Sequence, residues 1–66
     1  MTVKEQLKYF SEHGVSITYI AHRAGVSPAT LTKWLRDEKG ITHKNENIVQ
    51  NTLISMTNEF IDVTKN

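Results

Sequence analysis

Residues 17–36, ITYIAHRAGVSPATLTKWLR, contain the signals that decide the fold. Gly25 suits the left-handed backbone conformation with which many helices end, because it has no side chain to clash. Ser27 can cap a new helix by accepting a hydrogen bond from one of its free amides. Pro28 has the fixed φ of a first helical position and lacks only an N–H that the helix does not use. The stretch therefore predicts two short helices joined by a tight turn at residues 24–27.

Each predicted helix has one apolar face. The faces consist of Ile20, Ala21 and Ala24 in the first helix and of Leu31, Trp34 and Leu35 in the second. This is helical spacing, and Val26 in the turn can fill the gap between the two faces. We therefore expect the side chain of Trp34 to lie in the core and not to stack on a base. Two helices that cross through a short glycine-containing turn form a helix-turn-helix unit.

The stretch resembles the helix-turn-helix of the lambda-repressor-like DNA-binding domains, the Cro/repressor or XRE type. The run GVSPATLTKWLR is close to that family's usual recognition helix, and the resemblance covers about 20 residues closely and about 50 loosely. The matching residues are Ala21, Gly25, Val26, Ser27, Leu31 and Trp34. The resemblance implies an all-α, lambda-repressor-like fold of four or five short helices, in which residues 1–66 form a single helix-turn-helix DNA-binding domain.

Three positions depart from the family's pattern. Ile17 stands where the family often has a glutamine that touches DNA. Leu35 stands where an acidic residue is common, and Asp37 replaces a frequent glycine after the recognition helix. The first departure concerns DNA contacts at the start of a helix, and the other two concern the loop that follows the motif.

Length and composition argue against several classes of protein. Sixty-six residues make one domain, and the absence of cysteine excludes disulfides and cysteine metal sites. The sequence shows no signal peptide and no apolar run of the roughly 20 residues that a membrane span needs. We therefore expect a cytoplasmic, nucleoid-associated protein without membrane contact. If a phage encodes the protein, we expect it in the cytoplasm of the host. The three histidines lack metal-ligand spacing, and no catalytic set of residues is present. We therefore expect no enzyme, metal, cofactor or small-molecule ligand.

The net charge of +1 hides an uneven distribution. Residues 1–12 sum to zero, residues 13–44 to +3 and residues 45–66 to −2. The positive block contains the motif and the loop after it, with Arg23, Lys33, Arg36, Lys39 and Lys44. Such asymmetry favours a polyanionic partner, although an ordinary solvated surface would also show it.

Helical patterns flank the motif on both sides. Thr2 and Glu5 have the spacing of a capping box, and the helix that follows should end at Gly14. After the motif, residues 45–63 have helical spacing again, at Val49, Leu53, Met56, Phe60 and Val63, with Ile54 and Ile61 beside them. They predict either one long helix or two shorter ones, because Ser55, Thr57 and Asn58 are mediocre helix formers.

The second motif helix carries the candidates for base contact, because in this family it enters the major groove by its N-terminal end. With Leu31 and Trp34 inward, its outward residues are Pro28, Ala29, Thr32, Lys33 and Arg36. Lys33 is best suited, most naturally to guanine O6 and N7, and Thr32 can contact a base, a thymine methyl or a phosphate. Pro28 and Ala29 offer only apolar contact, which predicts moderate sequence discrimination or reliance on DNA shape.

The candidates for phosphate contact are Thr18, Tyr19, Ser27, Lys39, His43 and Lys44. They lie at predicted helix starts, where free amides favour anions, or in the segment after the motif. For Lys39, His43 and Lys44, a polar loop without function explains the residues equally well. For His22 and Arg23, on the outer side of the first motif helix, we expect a solvated role.

The apolar stripe of residues 45–63 is longer than a 66-residue monomer readily buries. We favour a homodimer in which its far half packs against a second copy, through Met56, Phe60, Ile61 and Val63. The alternative is that the whole stripe completes a monomeric core. A dimer would suit the family, whose members commonly bind pseudo-palindromic sites with half-sites about 34 Å apart.

The resemblance implies a sequence-specific regulator of transcription that binds double-stranded DNA. We expect a small Cro-like repressor of phage or bacterial type that acts by occupying its operator. Two alternatives use the same fold: a DNA-architectural or recombination-directionality factor, and a protein-interaction adaptor of the antirepressor type. The weak readout offered by Pro28 and Ala29 keeps the adaptor open, whereas the basic block argues against it.

Overall fold

A computed structural model describes residues 1–65 and contains four helices in that range. They are α1 (Val3–Glu12), α2 (Ile17–Ala24), α3 (Pro28–Leu35) and α4 (His43–Lys65). The predicted all-α class is confirmed, and the two short helices predicted within residues 17–36 are α2 and α3. No helix in the described part of the chain combines the length and the apolar character needed to cross a membrane.

Side-chain caps begin the first two helices, and the first of them is the capping box that the sequence predicts. The hydroxyl of Thr2 accepts a hydrogen bond from the Glu5 N–H at 3.1 Å, and the Glu5 carboxylate accepts one from the Thr2 N–H at 3.0 Å. This reciprocal pair is the expected capping box. The hydroxyl of Ser16 accepts from the Tyr19 N–H at 3.3 Å and caps α2 in the same way.

Left-handed residues end the first three helices. Gly14, Gly25 and Asp37 have φ angles of 93°, 74° and 60°. After Gly25, the N–H of Val26 donates back to the Ala21 carbonyl at 3.0 Å, and equivalent bonds follow Gly14 and Asp37. These bonds satisfy carbonyls that a helix end leaves free. The stop predicted at Gly25 is therefore confirmed.

Asp37 ends α3 with a backbone conformation that usually belongs to glycine. Among residues 1–65 it is the one non-glycine residue with a positive φ. The Glu38 N–H donates to the Lys33 carbonyl at 2.9 Å and the Asp37 N–H to the Trp34 carbonyl at 3.1 Å. The Asp37 carboxylate also forms an ion pair with Lys4 of α1. Its short polar side chain tolerates the left-handed region, and the ion pair ties the end of α3 to α1.

All four helices contribute to one apolar core. Its buried residues are Leu7, Ile20, Ala21, Val26, Leu31, Trp34, Val49, Leu53 and Met56. Trp34 is only 7% exposed, which confirms its predicted place in the core. The helix pair α2 and α3 packs together through the turn, while α4 packs on α1 and α2. The outward side of α3 is thereby held rigidly away from the core.

The C-terminal pattern forms one continuous helix, which settles the choice between one helix and two. At about 1.5 Å per residue, its 23 residues give a rod of roughly 34 Å, and the molecule measures 40 × 22 × 22 Å. The inner half of α4 (residues 43–56) contributes three buried side chains, and every side chain of the outer half (residues 57–65) is exposed. Met56 is fully buried within the monomer, so its predicted place in a dimer interface is wrong.

Candidate nucleic-acid interface

The outward face of α3 consists of Ala29, Lys33 and Arg36. These three residues are exposed and lie four and three positions apart, which places them on one side of the helix. The buried Leu31 and Trp34 occupy the opposite side. The core therefore fixes the rotation of α3 and presents a small residue and two cations to solvent.

Pro28 and Thr32 flank this outward face and are half-buried. Their position restricts them to edge contacts, so the best-presented polar groups are the ammonium of Lys33 and the guanidinium of Arg36. An ammonium donates well to guanine O6 and N7, and a guanidinium can donate to a base edge or to a phosphate. The exposed methyl of Ala29 leaves room for close approach of a ligand to the start of the helix.

The start of α3 differs from the sequence-based expectation. Ser27 occupies the N-cap position with φ −61° and ψ 130°, but its hydroxyl makes no capping hydrogen bond. Its carbonyl accepts from the N–H groups of Thr30 and Leu31 at 3.1 and 3.3 Å. Within residues 1–65 the hydroxyl has no partner, so it is available, together with the adjacent free amides, to an anion at the helix start.

The start of α2 holds the other predicted pair of phosphate contacts, Thr18 and Tyr19. Both are exposed, and the Tyr19 hydroxyl accepts a hydrogen bond from Nη1 of Arg23 at 3.1 Å. The hydroxyl proton of Tyr19 therefore stays available for a ligand. Ile17, at the position where the resembled family often has glutamine, is half-buried against the core and offers no polar group.

The cations of the chain fall into two groups. Lys4 and Arg23 form ion pairs with Asp37 and Glu59; Arg23 is exposed, in keeping with the solvated role expected for it, and is also paired. The side chains of the six other lysines and arginines have no ion pair or hydrogen bond within residues 1–65; they are Lys8, Lys33, Arg36, Lys39, Lys44 and Lys65. Four of these six, Lys33, Arg36, Lys39 and Lys44, lie on α3 or between α3 and the first turn of α4, whereas Lys8 lies on α1 and Lys65 ends α4. The unpaired positive charge is thus concentrated on and after α3.

The segment after α3 carries the remaining predicted phosphate contacts. Lys39 lies in the loop, while His43 and Lys44 open α4, and all three are exposed. His43 also lines a groove with Trp34 and the start of α1, from Met1 to Lys4. It therefore lies on the α1 side of the molecule, away from the outward face of α3.

The outer half of α4 exposes a cluster of apolar side chains. The relative exposures of Phe60, Ile61 and Val63 are 45%, 46% and 72%, and Ile54, one turn before the outer half begins, is 52% exposed. We call these four residues the α4 surface. Three of them belong to the predicted dimer interface. The sequence reasoning missed Ile54, although its spacing of seven residues from Ile61 already placed the two on one side of a helix.

No metal-binding constellation accompanies these surfaces, since no group of three or more His, Asp or Glu residues within 1–65 is placed to hold an ion. Hydrogen bonds from Thr2 lower the pKa of the Glu5 carboxyl group, with the backbone N–H of Thr2 as the largest cause. That group belongs to the capping box of α1. The chemistry on offer at the outward face of α3 is therefore anion binding and hydrogen-bond donation.

Comparisons with protein-family models, with curated proteins and with solved structures found no match for this chain.

Proposed function

We propose that this protein is a sequence-specific, double-stranded-DNA-binding regulator of transcription with a lambda-repressor-like fold. One observation carries the proposal: four of the six cations that are unpaired within residues 1–65 lie on and after α3, whereas Lys4 and Arg23 are engaged in ion pairs. Four cations without partners within residues 1–65, on and after a helix whose opposite side is fixed in the core, form a basic surface. Such a surface suits the phosphate-lined major groove.

In the proposed complex, α3 enters the major groove with its N-terminal end first. Lys33 donates to guanine O6 and N7, and Ala29 and Pro28 contact thymine methyl groups. Arg36, one turn further along the outward face, contacts a base edge or the backbone. Few side chains therefore read bases directly, and DNA shape contributes the rest of the discrimination.

Phosphate contacts fix the register of α3 in the groove. The free hydroxyl of Ser27 and the hydroxyls of Thr18 and Tyr19 donate to the backbone at the starts of α3 and α2. Lys39 and Lys44 neutralise phosphates beside the groove. His43, turned toward α1, contributes least of the predicted set. These contacts raise affinity for every sequence and make binding dependent on salt.

A second copy of the chain is the proposed protein partner, and the α4 surface is the proposed interface. Patches of several apolar side chains on a small protein commonly mark interaction sites. A two-fold dimer would place two α3 helices on successive turns of the same DNA face, about 34 Å apart. Occupancy of such a site excludes polymerase from an overlapping promoter, which is the simplest route to repression.

Two alanine substitutions test the assigned roles. Lys33→Ala should cost about 1–3 kcal/mol on the preferred site and relax the preference at one base pair. Lys44→Ala should weaken all sequences alike and reduce the slope of log K against log salt by about one unit. Lys8→Ala, on the exposed side of α1, is the matched control and should change neither. Equal effects of Lys33→Ala and Lys44→Ala across sequences would contradict the assignment.

A further inference from the structure

Arg23 joins three parts of the molecule through one guanidinium group. Its Nη1 donates to the Tyr19 hydroxyl at 3.1 Å and to Oε1 of Glu59 at 3.2 Å, and its Nη2 pairs with the other carboxylate oxygen of Glu59. This is a two-point contact between the last turn of α2 and the outer half of α4. A bidentate guanidinium–carboxylate contact has a defined direction, unlike a single charge–charge contact.

The position of Glu59 allows this contact to hold the outer half of α4. Met56 is the last buried side chain of α4, and Glu59 lies three residues beyond it, next to Phe60 of the α4 surface. From Met56 to Lys65 the helix continues for roughly 13 Å at 1.5 Å per residue. Core packing alone holds this length at one end. The contact with Arg23 adds a second support about 4–5 Å further along the helix.

The Arg23–Glu59 contact contributes little to the stability of the fold, but it can fix the angle between α2 and the outer half of α4. The side chains of Arg23 and Glu59 are 27% and 54% exposed, and ion pairs with such exposure contribute little to stability. The Tyr19 hydroxyl limits the rotation of the guanidinium from the α2 side. Arg23 is therefore held in one orientation while it holds Glu59.

We propose that Arg23 is a positioning residue that fixes the outer half of α4 relative to α2 and thereby sets the separation of the two α3 helices in the dimer. The inference rests on the proposed function, because it requires the α4 dimer. It deepens that function by naming what determines the half-site spacing. Loss of the contact should widen the range of α3 separations while each protomer keeps its fold.

A distance measurement between protomers tests this inference without DNA. The chain has no cysteine, so Ala29→Cys introduces one labelling site on the exposed side of α3. Pulsed electron spin resonance on the spin-labelled homodimer then reports the separation of the two α3 helices. We expect one narrow distribution centred at about 34 Å for this parent protein. Adding Glu59→Gln should at least double the width of the distribution, with circular dichroism unchanged.

Three companion variants separate positioning from general damage. Arg23→Lys keeps the charge but loses the two-point contact, so it should broaden the distribution as well. The exchange Arg23→Glu with Glu59→Arg should restore a narrow distribution. Asp37→Asn is the matched control, because it breaks the other ion pair between helices, does not touch α4 and leaves a residue that tolerates a positive φ. It should leave the width unchanged.

Two contrary outcomes are distinguishable. A narrow distribution in the parent protein that stays equally narrow in Glu59→Gln and Arg23→Lys would overturn the role of Arg23 alone. A parent protein that shows no coupling between labels would overturn the proposed dimer, and the role of Arg23 with it.

Discussion

The two halves of α4 have the same apolar spacing, yet only the inner half is buried. Val49, Leu53 and Met56 lie in the core, and Phe60 and Val63 continue the same stripe beyond the end of the globule. The difference arises because α1 and α2 cover only the inner half of a rod roughly 34 Å long. Periodicity thus identifies the helix, but the length of its neighbours decides which part of the stripe is covered.

The exposed half is also supported differently from the buried half. The inner half is held by apolar contacts with α1 and α2, whereas the outer half has the Arg23–Glu59 contact at its base. Substitutions in the inner half should therefore change the stability of the monomer. Substitutions in the outer half should change association between chains.

The largest expected effect is that of Leu53→Ala in the inner half. Leu53 is buried in the core, so its truncation should cost about 2–5 kcal/mol of unfolding free energy through lost burial and the cavity left behind. Chemical denaturation monitored by circular dichroism measures the loss. A cost below about 1 kcal/mol would show that the inner half is not held as the structure has it.

Phe60→Ala in the outer half should produce the opposite pattern. The unfolding free energy of the monomer, measured at low protein concentration, should change by less than about 1 kcal/mol, because Phe60 is 45% exposed and does not belong to the core cluster. The dissociation constant of the dimer should rise at least tenfold, since aromatic anchors dominate interfaces. Analytical ultracentrifugation measures the second quantity. A large loss of monomer stability would contradict the claim that the outer half of α4 contributes little to the fold of the monomer.

Ile54→Lys locates the boundary between the two halves. Ile54 is exposed although it lies beside the buried Leu53, so the substitution should change monomer stability by no more than about 0.5 kcal/mol. A several-fold weakening of the dimer would show that the interface extends back to this turn. If dimer affinity is unchanged, the interface is confined to residues 57–65 and does not include Ile54.

The smallest expected effect lies on α1 and serves as a reference away from α4. Hydrogen bonds from Thr2 lower the pKa of Glu5, so the carboxylate stabilises the helix start above its unfolded pKa. This contribution should disappear as the pH falls through the folded pKa. Amide chemical shifts of the first turn of α1 should show fraying on acidification, and the Glu5→Gln variant should show no such pH dependence. Fraying of α1 on acidification that is equally large in the Glu5→Gln variant would contradict this origin.

Local signals allowed much of the fold to be predicted from sequence. The helix end at Gly25 could be predicted because it depends only on glycine and its immediate neighbours. The buried position of Trp34 could be predicted because it follows from the spacing of three residues between Leu31 and Trp34. The capping box of Thr2 and Glu5 has the same character. Each of these predictions needs no knowledge of where distant segments lie, and each is confirmed.

Two features could not be predicted from the sequence: the long-range ion pairs, and how much of the apolar stripe of α4 the other helices cover. Arg23 and Glu59 are 36 residues apart, and Lys4 and Asp37 are 33 apart, so neither pair leaves a local pattern. Met56 was misplaced because the 4-3-4-3 spacing carries no information about where the body of the protein ends. One sequence feature could have drawn attention to the ion pair between Asp37 and Lys4. Asp37 stands where the resembled family often has glycine, and a non-glycine residue at such a position suggests that its side chain has a partner.

The interface proposed for DNA could be predicted from the sequence only in part. The sequence predicted its outward residues, and the structure places Ala29, Lys33 and Arg36 on one exposed face. The pairing of cations then separates structural charges from available ones, which composition alone could not do. Sequence-specific binding to double-stranded DNA remains the central prediction.

Selection of bound sequences from random duplex DNA at roughly physiological salt, with the mass of the complex determined alongside, tests that prediction most directly. The account predicts a two-fold-symmetric site with half-sites about one helical turn apart, occupied by two chains. Equal retention of all sequences would contradict sequence-specific regulation and favour an architectural role. Failure to retain any duplex, even at low salt, would contradict DNA binding itself and favour a protein-interaction adaptor.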